Sequence, residues 1–171
     1  DYIPAEAEFI LGDVRDKDTL EDAMKGVDYI FHLAAYQDYL PDFSTFFHVN
    51  SVSTALIYEI AVAKNVKIKK IVVASSQFVN GEGIYSDASG NFMYPQGRTN
   101  KQLEKGEWDF TDKNGMKLEY VWTPETYACP PNQYAISKYS QELMAMNFGP
   151  RYSIPITALR YSIVQGSRQS F

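Results

Sequence analysis

Short apolar runs alternate with helical stretches along this chain, and this alternation limits the possible folds more than any other feature. The clearest strand is predicted at 68–74, around the apolar triplet Ile71-Val72-Val73. The clearest helix is predicted at 43–64, where apolar residues recur at helical spacing. Strands joined by helices of this length imply right-handed crossovers, so we expect a parallel sheet with helices on both faces.

The other predicted elements follow the same α/β plan. They are a strand at 8–11, a helix at 16–24, a buried strand at 27–35, a helix at 132–147 and a strand at 156–161. Asp16 or Asp18 is a suitable N-cap for the first of these helices, and Gly26 can end it. The run at 27–35 is mostly apolar, as a strand in a sheet covered on both sides requires.

A long polar stretch from about 81 to 131 interrupts this rhythm. Gly, Pro, Asn and Asp are scattered through it, and the pair Asn114-Gly115 is typical of a β-hairpin turn. A structureless loop of this length is uncommon in a compact domain. We therefore predict an ordered insertion at about 82–130.

Size and composition describe one ordinary folded domain. With 171 residues the chain can bury a real core. A net charge of -5 and the lack of a basic cluster give no reason to expect nucleic acid as a partner. No apolar run reaches the length of a membrane span, and no signal-peptide pattern opens the chain, so we expect no membrane partner. A single cysteine, Cys129, excludes an internal disulfide and fits a reducing compartment, so we expect a cytoplasmic location and no metal site.

The chemically most informative residues are Tyr134 and Lys138, which stand one helical turn apart on one face of the predicted helix. A free tyrosine titrates near 10, and lowering its pKa by about three units requires roughly 4 kcal/mol. A lysine charge about 4 Å away, at an effective dielectric near 20, supplies about that much. With a serine of the pair Ser75-Ser76 holding the substrate oxygen, these groups can move a proton while a cofactor moves a hydride. A solvated helix face and a turn-capping serine pair are the simpler alternatives.

The candidate residues follow the predicted strands at one edge of the sheet. Asp13, Ala34-Ala35, Ser75-Ser76 and the segment after Tyr161 each lie beyond the carboxyl end of a strand. Open parallel sheets bind their ligands in this position. Sequence pattern and placement therefore agree on a single site.

Six sequence blocks occur in order along the chain. They are Gly12-Asp13-Val14, His32-Leu33-Ala34-Ala35, Asn50 with Thr54, Ser75-Ser76, Tyr134 to Lys138, and Leu159-Arg160-Tyr161. In this order they resemble the extended short-chain dehydrogenase/reductase family, in its epimerase/dehydratase group that acts on nucleotide sugars. The resemblance covers nearly all of the chain apart from parts of the insertion. It implies a Rossmann-type doubly wound sheet, NAD as cofactor (NADP not excluded) and the catalytic residues Ser76, Tyr134 and Lys138.

The resemblance also assigns residues to the cofactor. Asp13 would accept a hydrogen bond from the adenine amino group, and Asn50 would hold the geometry near the nicotinamide. The expected cofactor contacts are Asp13, Val14, Leu33, Ala34, Ala35, Asn50, Ser75, Tyr134, Lys138 and Tyr161. Simpler roles stay open: a strand-ending turn for Asp13, core packing for Leu33 and a polar helix end for Asn50. His32 is interpreted as a structural histidine.

Some parts of the family pattern are missing. The chain has no glycine-rich phosphate loop near its start, and the residue that selects NAD or NADP is missing with it. The sequence opens at what would be the third strand and stops before a C-terminal substrate lobe. We therefore expect a partial Rossmann domain over 1–171 that lacks the first βαβ unit and carries the insertion at about 82–130. Without the two inner strands, Phe9-Ile10-Leu11 would have no neighbour to pair with.

Departures near the catalytic residues bear on the substrate. Gln77 and Phe78 follow Ser76, where sugar 4,6-dehydratases place an Asp-Glu pair, so dehydration is disfavoured. Ile163 stands where an asparagine often contacts the sugar nucleotide, and Asn80 replaces the tyrosine of the family's Val-Tyr-Gly. The expected substrate contacts are Gln37, Ser76, Gln77, Ile163 and Arg168.

The resemblance favours a nucleotide-sugar 4-epimerase that works through a transient 4-keto sugar. Its partner would be a nucleotide-diphosphate sugar, and the full-length protein would be a homodimer. The insertion resembles a longer segment of some nucleotide-sugar 4-epimerases, and would form a lid, an oligomer contact or a surface elaboration. Two other functions stay open: an NAD(P)-dependent reductase or dehydrogenase using the same residues, and a non-catalytic cofactor-binding interaction protein.

Overall fold

The computed structural model describes residues 3–167, so Arg168 lies outside the described residues. In chain order the elements are α1 (Lys17–Ala23), β1 (Tyr29–His32), α2 (Phe43–Phe46), a π-helical turn (Phe47–Val52), α3 (Ser53–Ala63), β2 (Lys70–Ser76), a 3-10 turn (Gln77–Asn80), β3 (Ile84–Ser86), β4 (Phe92–Met93), α4 (Asn100–Glu104), β5 (Glu119–Val121), α5 (Gln133–Arg151) and β6 (Ile156–Tyr161). Strands and helices thus alternate as the sequence predicts.

The central sheet is parallel and has the strand order β1-β2-β6. His32 pairs with Val73, and Ser76 pairs with Tyr161, so the three strands run in one direction and end at one edge. The fold is therefore α/β, with a partial Rossmann-type sheet, as expected. The edge at which the strands end is the one where the sequence places its candidate residues.

α1 begins at a capping residue that the sequence predicts, and α5 begins next to the predicted first residue of its helix. Asp16 caps α1 by accepting a hydrogen bond from the backbone N–H of Asp18 at 3.0 Å. Asn132 caps α5 by accepting one from the backbone N–H of Ala135 at 2.9 Å. This cap fixes the start of α5, and so puts Tyr134 and Lys138 in its first two turns.

The segment from Phe43 to Ala63 is one continuous helix, as predicted, but its middle turn is π-helical and contains Asn50. Such turns inside α-helices are frequent at functional sites. The helix is also long and apolar enough to cross a membrane, which was not expected from the sequence. Half of its most apolar window is buried inside the fold, and core helices of soluble proteins share this pattern.

One face of the parallel sheet carries the main core. Ile71 and Val73 of β2 pack with Ile57 and Ile60 of α3, and Ala145 of α5 joins the same cluster. The two helices also contact each other over this face. Burying such side chains stabilises the fold by about 1.5–3 kcal/mol each, so α3 and α5 are held firmly against the sheet.

The other face of the sheet is open within residues 3–167, which differs from the expectation of helices on both faces. Phe31 is 68% exposed, and Tyr29 and Leu33 are exposed beside it. The expectation of a buried strand at 27–35 is therefore wrong for its outward-facing residues, and β1 is shorter than predicted. In a doubly wound sheet the strand order reverses at one central position, and the helices that connect the strands on its two sides lie on opposite faces of the sheet. Here α3 and α5 cover only one of these faces.

The predicted strand at 8–11 is not formed. These residues have no regular structure, and Leu11 is 87% exposed. The physical reason is that a strand needs a partner for its backbone N–H and C=O groups. Within residues 3–167, the parallel sheet consists of β1, β2 and β6, and none of these strands pairs with this segment.

The segment 82–130 carries its own small sheet, antiparallel and ordered β4-β3-β5. The predicted hairpin across Asn114-Gly115 is present, since Thr111 and Lys117 form an antiparallel bridge around it. The C-terminal end of the segment 82–130 is hydrogen-bonded to the 3-10 turn that follows β2, since the backbone N–H of Cys129 donates to the carbonyl of Val79 at 2.8 Å.

Candidate active site

Lys138 is the most deeply buried of the predicted catalytic residues, with 1% of its surface exposed. Its ammonium donates to the carbonyl oxygen of Ala74 at 2.6 Å and to Oε1 of Gln141 at 3.1 Å. Burial disfavours the charged form and lowers the pKa of Lys138 to about 8. An ammonium has three N–H donors, so within the described residues one of them remains for a ligand.

Tyr134 lies over the end of β2, where its ring makes an edge contact with the ring of Phe78, with centroids 6.2 Å apart. Phe78 in turn donates its backbone N–H to Oγ of Ser76 at 3.2 Å. This hydrogen bond caps the 3-10 turn and fixes the hydroxyl of Ser76, which is buried. One short turn therefore connects the two residues predicted to act on the substrate.

The three predicted catalytic residues occupy one corner of the fold without bonding directly to each other. Among residues 3–167, the hydrogen bonds of the Lys138 ammonium go to Ala74 and Gln141 rather than to Tyr134. The predicted ammonium–phenol interaction is thus not a direct hydrogen bond here, and the effect of Lys138 on Tyr134 stays a prediction. Together the groups supply a phenol, a hydroxyl and a buried cation beside the end of β2.

The hydroxyl of Ser75 is engaged inside the fold, and its predicted contact with the cofactor stays a prediction. Ser75 is buried, and its hydroxyl donates to Oε2 of Glu142 on α5 at 2.8 Å. Glu142 also accepts two hydrogen bonds from Arg160, at 3.0 and 2.6 Å. Such a bidentate pair fixes geometry as well as charge.

Arg160 extends this network to the insertion and to the 3-10 turn. Its second terminal nitrogen donates to Oδ1 of Asn80 at 2.6 Å and to the carbonyl of Tyr127 at 2.8 Å. Sequence reasoning missed the roles of Glu142 and Arg160. A usable signal existed for Glu142, because it lies one helical turn after Lys138 on the side of α5 that faces the sheet.

Asn50 does not lie at a polar helix end, because its side chain joins three segments by hydrogen bonds. It is 0% exposed, and its amide accepts from the backbone N–H of Tyr36 at 2.8 Å and donates to the carbonyl of the same residue at 3.1 Å. It also donates to Oγ of Ser137 on α5 at 2.8 Å. The π-helical turn thus holds the loop after β1 against the helix that carries Tyr134.

His32 is buried under the same corner, as expected for a structural histidine. Its Nε2 is 2.9 Å from Oγ of Ser53. Burial, reinforced by the nearby charge of Lys138, lowers the pKa of His32 to about 4. The imidazole is therefore neutral near pH 7 and does not serve as a cationic acid.

The residues expected to hold the adenine side are exposed and make local contacts. Both oxygens of the Asp13 carboxylate accept hydrogen bonds from the side chain of Arg15. These bonds lower the pKa of Asp13 to about 2. Val14 is half-buried, while Leu33 and Ala35 are exposed. The alternative of core packing for Leu33 is therefore wrong.

The expected substrate residues line the open edge to different degrees. Gln77 is half-buried in the 3-10 turn, whereas Gln37 is exposed in the loop after β1. Tyr161 ends β6 opposite Ser76, and Ile163 beyond it is exposed. These residues differ in exposure, and their predicted contacts with a substrate stay predictions.

Comparison with known proteins gives the family. The family model described as "Male sterility protein", an NAD-binding family, matches residues 8–170. The chain belongs to the extended short-chain dehydrogenases/reductases, in this NAD-binding family. It is also 30% identical over 169 residues to a dTDP-L-rhamnose 4-epimerase of Burkholderia thailandensis, covering 96% of this chain and 46% of that protein.

Solved structures show the same fold. The chain resembles a UDP-N-acetylglucosamine 4-epimerase of Methanobrevibacter ruminantium with a TM-score of 0.65 and 26% identity, covering 94% of this chain and 41% of the other. A UDP-glucose 4-epimerase of Thermotoga maritima gives a TM-score of 0.69 at 22% identity, covering 98% and 45%. This chain spans less than half the length of each of these relatives.

The residues present fit one half of NAD better than the other. At the nicotinamide side, the Lys138 ammonium makes two hydrogen bonds to the described residues, and its third N–H would serve a ribose hydroxyl. At the adenine side, the Asp13 carboxylate is already bound by Arg15. Residues 3–167 also contain no glycine-rich loop to hold a pyrophosphate.

Proposed function

We propose that the protein containing this chain is an NAD-dependent nucleotide-sugar 4-epimerase. The observation that carries the proposal is the connection of Tyr134 to Ser76 through Phe78, beside the buried cation of Lys138. The similarity to a dTDP-L-rhamnose 4-epimerase supports the same reaction type. We also propose a nucleotide-diphosphate sugar as substrate, a homodimer as the assembly and a cytoplasmic location.

The residues would divide the chemistry as follows. Bound NAD supplies hydride exchange at C4 of the sugar. Tyr134 takes the proton of the C4 hydroxyl and later returns it, while Ser76 donates a hydrogen bond to the same oxygen. Lys138 would add positive charge near the phenol, one helical turn along α5, and offer its third N–H to a ribose hydroxyl.

Epimerisation fits this site better than dehydration. Removing water from a sugar needs an additional acid and base near the ring. Here Gln77 and Phe78 follow Ser76 on the 3-10 turn, and neither side chain can transfer a proton at neutral pH. Besides the hydride exchange that bound NAD would supply, reversal at C4 needs only the proton transfer that Tyr134 can provide.

The test is Tyr134→Phe in the full-length protein, assayed with dTDP-L-rhamnose, UDP-glucose and UDP-N-acetylglucosamine. We expect kcat to fall about 10²–10⁴-fold, the usual contribution of a general acid–base group, while NAD binding is retained. Tyr39→Phe is the matched control, because Tyr39 is 99% exposed. Wild-type protein should interconvert a C4 epimer pair without net NADH. Unchanged turnover in Tyr134→Phe would overturn the catalytic assignment.

A reductase or dehydrogenase of the same family is the second candidate. The matched family description names no epimerase, and this favours keeping the alternative. The same three residues would serve, but each turnover would consume or produce one NADH or NADPH. Stoichiometric cofactor turnover with a carbonyl or alcohol substrate would replace the epimerase proposal.

A further inference from the structure

Gln141 lies on the same face of α5 as the predicted catalytic residues, two helical turns after Tyr134 and one turn after Lys138. It is 0% exposed, and its Oε1 accepts a hydrogen bond from Nζ of Lys138 at 3.1 Å. We propose that Gln141 is a positioning residue for the proposed reaction, which keeps the ammonium of Lys138 protonated and in place near the end of β2. This inference rests on the proposed function, and it assigns to Gln141 a role that acts through Lys138.

The ammonium of Lys138 has two neutral partners within residues 3–167. The carbonyl oxygen of Ala74 accepts one hydrogen bond at 2.6 Å, and Gln141 accepts the other. Burial disfavours the charged form of Lys138 and lowers its pKa to about 8. Hydrogen bonds made by the charged form act in the opposite direction. Loss of the Gln141 oxygen would therefore leave Lys138 less charged at neutral pH.

The other groups around Lys138 do not replace Gln141. The titratable ones that face this corner are His32 on β1, Tyr134 and Glu142 on α5, and Arg160 on β6, while β2 contributes the uncharged hydroxyls of Ser75 and Ser76. His32 is neutral near pH 7, because its pKa is about 4. The carboxylate of Glu142 is bound by Arg160 and Ser75. Among the described residues, Gln141 is thus the one side chain that is hydrogen-bonded to the ammonium.

The orientation of the Gln141 amide follows from this hydrogen bond. An ammonium has only donors, so the oxygen of the amide must face Lys138 and the nitrogen must point elsewhere. That nitrogen, Nε2, is buried and has no hydrogen-bond partner within residues 3–167. A buried donor without a partner destabilises a fold, and an apolar side chain of similar length would avoid this loss. The amide is therefore explained by its bond to Lys138 rather than by packing.

The charge of Lys138 matters to the proposed reaction because Tyr134 must lose its proton in order to act as a base. A positive charge one helical turn away favours the phenolate. Above its pKa, Lys138 loses this charge, so the rate should fall on the alkaline side of a pH profile. Gln141 then sets the pH at which this fall begins.

The experiment measures kcat/KM against pH for the NAD-loaded full-length protein, with UDP-glucose, UDP-N-acetylglucosamine and dTDP-L-rhamnose as substrates. In the wild type the alkaline fall should centre near pH 8. Gln141→Met removes the oxygen and should move this fall about one pH unit lower, as expected for one lost hydrogen bond to a charged group. At pH 8 kcat/KM should then be about fivefold below the wild type, and at pH 7 about twofold. Gln141→Glu adds a carboxylate and should move the fall in the opposite direction, by about one pH unit or more.

A second readout does not depend on turnover. The NMR signal of Cε of Lys138, identified by its loss in Lys138→Arg, reports the pKa of this lysine during a pH titration. This pKa should decrease in Gln141→Met and increase in Gln141→Glu. The matched controls are Asn147→Leu and Asn147→Asp, because Asn147 is an exposed amide on the same helix. Both controls should leave the pKa and the pH profile unchanged.

Opposite shifts in the two variants would support the role of Gln141, because a residue that only packs would lower kcat/KM equally at every pH. An unchanged pKa of Lys138 in both variants would overturn it. If Gln141→Met does not fold, Gln141→Glu alone decides, since it differs from the native side chain in one heavy atom. If the wild type shows no epimerase turnover while the pKa shifts are observed, the proposed function is overturned and the effect of Gln141 on Lys138 stands. Epimerase turnover with an unmoved pKa would overturn the role of Gln141 alone.

Discussion

The two ends of the proposed cofactor site are built in different ways. At the nicotinamide end, Lys138 binds the carbonyl of Ala74 across 64 residues of sequence, and Asn50 binds Ser137 across 87. At the adenine end, Asp13 binds Arg15 across only two residues. The first end is held by packed elements, and the second by a local turn that any exposed loop can form.

This difference shows which part of the proposed site depends on contacts between distant segments of the chain. The buried end loses its geometry when a single long-range contact is removed, because its polar groups have no water to replace a lost partner. The exposed end keeps its shape locally but has little to hold a cofactor with. The following changes should therefore have large effects at the first end and small effects at the second.

Arg160→Met should have the largest effect on stability. The guanidinium and the Glu142 carboxylate are 15% and 13% exposed in their side chains, and removing one partner of such a pair costs about 3–5 kcal/mol. Urea denaturation would measure the free energy of unfolding. Arg151→Met, at the exposed end of α5, is the control and should change little.

The double variant Arg160→Met/Glu142→Leu separates charge from packing. Replacing both charges by apolar groups should recover much of the lost stability, because no buried carboxylate is left unpaired. A loss of less than about 1 kcal/mol in Arg160→Met would place the pair among ordinary surface ion pairs. It would also remove the distinction between the two ends.

Acid should destabilise the buried end through His32. The pKa of His32 is about 4 in the folded protein and 6.5 in the unfolded chain, so the unfolded state binds more protons between these values. The free energy of unfolding is therefore highest above pH 6.5. As the pH drops from 6.5 towards 4, protonation of His32 in the unfolded chain lowers it by about 3 kcal/mol in all. Unfolding free energies measured across this range should show the slope, and His32→Gln should reduce it.

His48→Gln is the matched control for this pH dependence, because His48 is exposed on the same long helix. It should keep the acid slope of the wild type. If His48→Gln flattens the slope as much as His32→Gln does, the slope does not come from the buried imidazole.

Asn50→Ala should have a smaller but clear effect. It removes three hydrogen bonds to Tyr36 and Ser137 inside the fold, and we expect a loss of about 2 kcal/mol. The comparison variant is Asp13→Ala at the exposed end, where no measurable change in stability is expected. Equal losses in the two variants, measured by urea denaturation, would contradict the contrast between the ends.

Much of the main sheet could be predicted from sequence, for a physical reason. The strand at 156–161 and the helix at 43–63 both contribute apolar residues to one core cluster, and burial in this cluster explains their apolar patterns. The segment at 8–11 has a similar apolar pattern but formed no strand. Apolar character alone cannot supply the backbone partners that a strand requires.

The candidate site was predicted in part. The hydrogen bond from Ser75 to Glu142 could not be predicted, because the partner of a strand-end side chain depends on which helix covers that face of the sheet. The role of Arg160 in joining α5, the 3-10 turn and the insertion was equally hidden, since its partners come from three separate stretches of sequence. Hydrogen bonds between distant segments leave no local pattern.

The sequence by itself determined the α/β class, the cap of α1 and the placement of Ser76, Tyr134 and Lys138 near one sheet edge, because these follow from local patterns and from the direction of parallel strands. The tertiary structure alone decided that Lys138 is buried on Ala74 and Gln141, and that the insertion is hydrogen-bonded to Arg160 of β6. Burial and long-range pairing depend on how separate segments pack, and no single stretch of sequence contains that information.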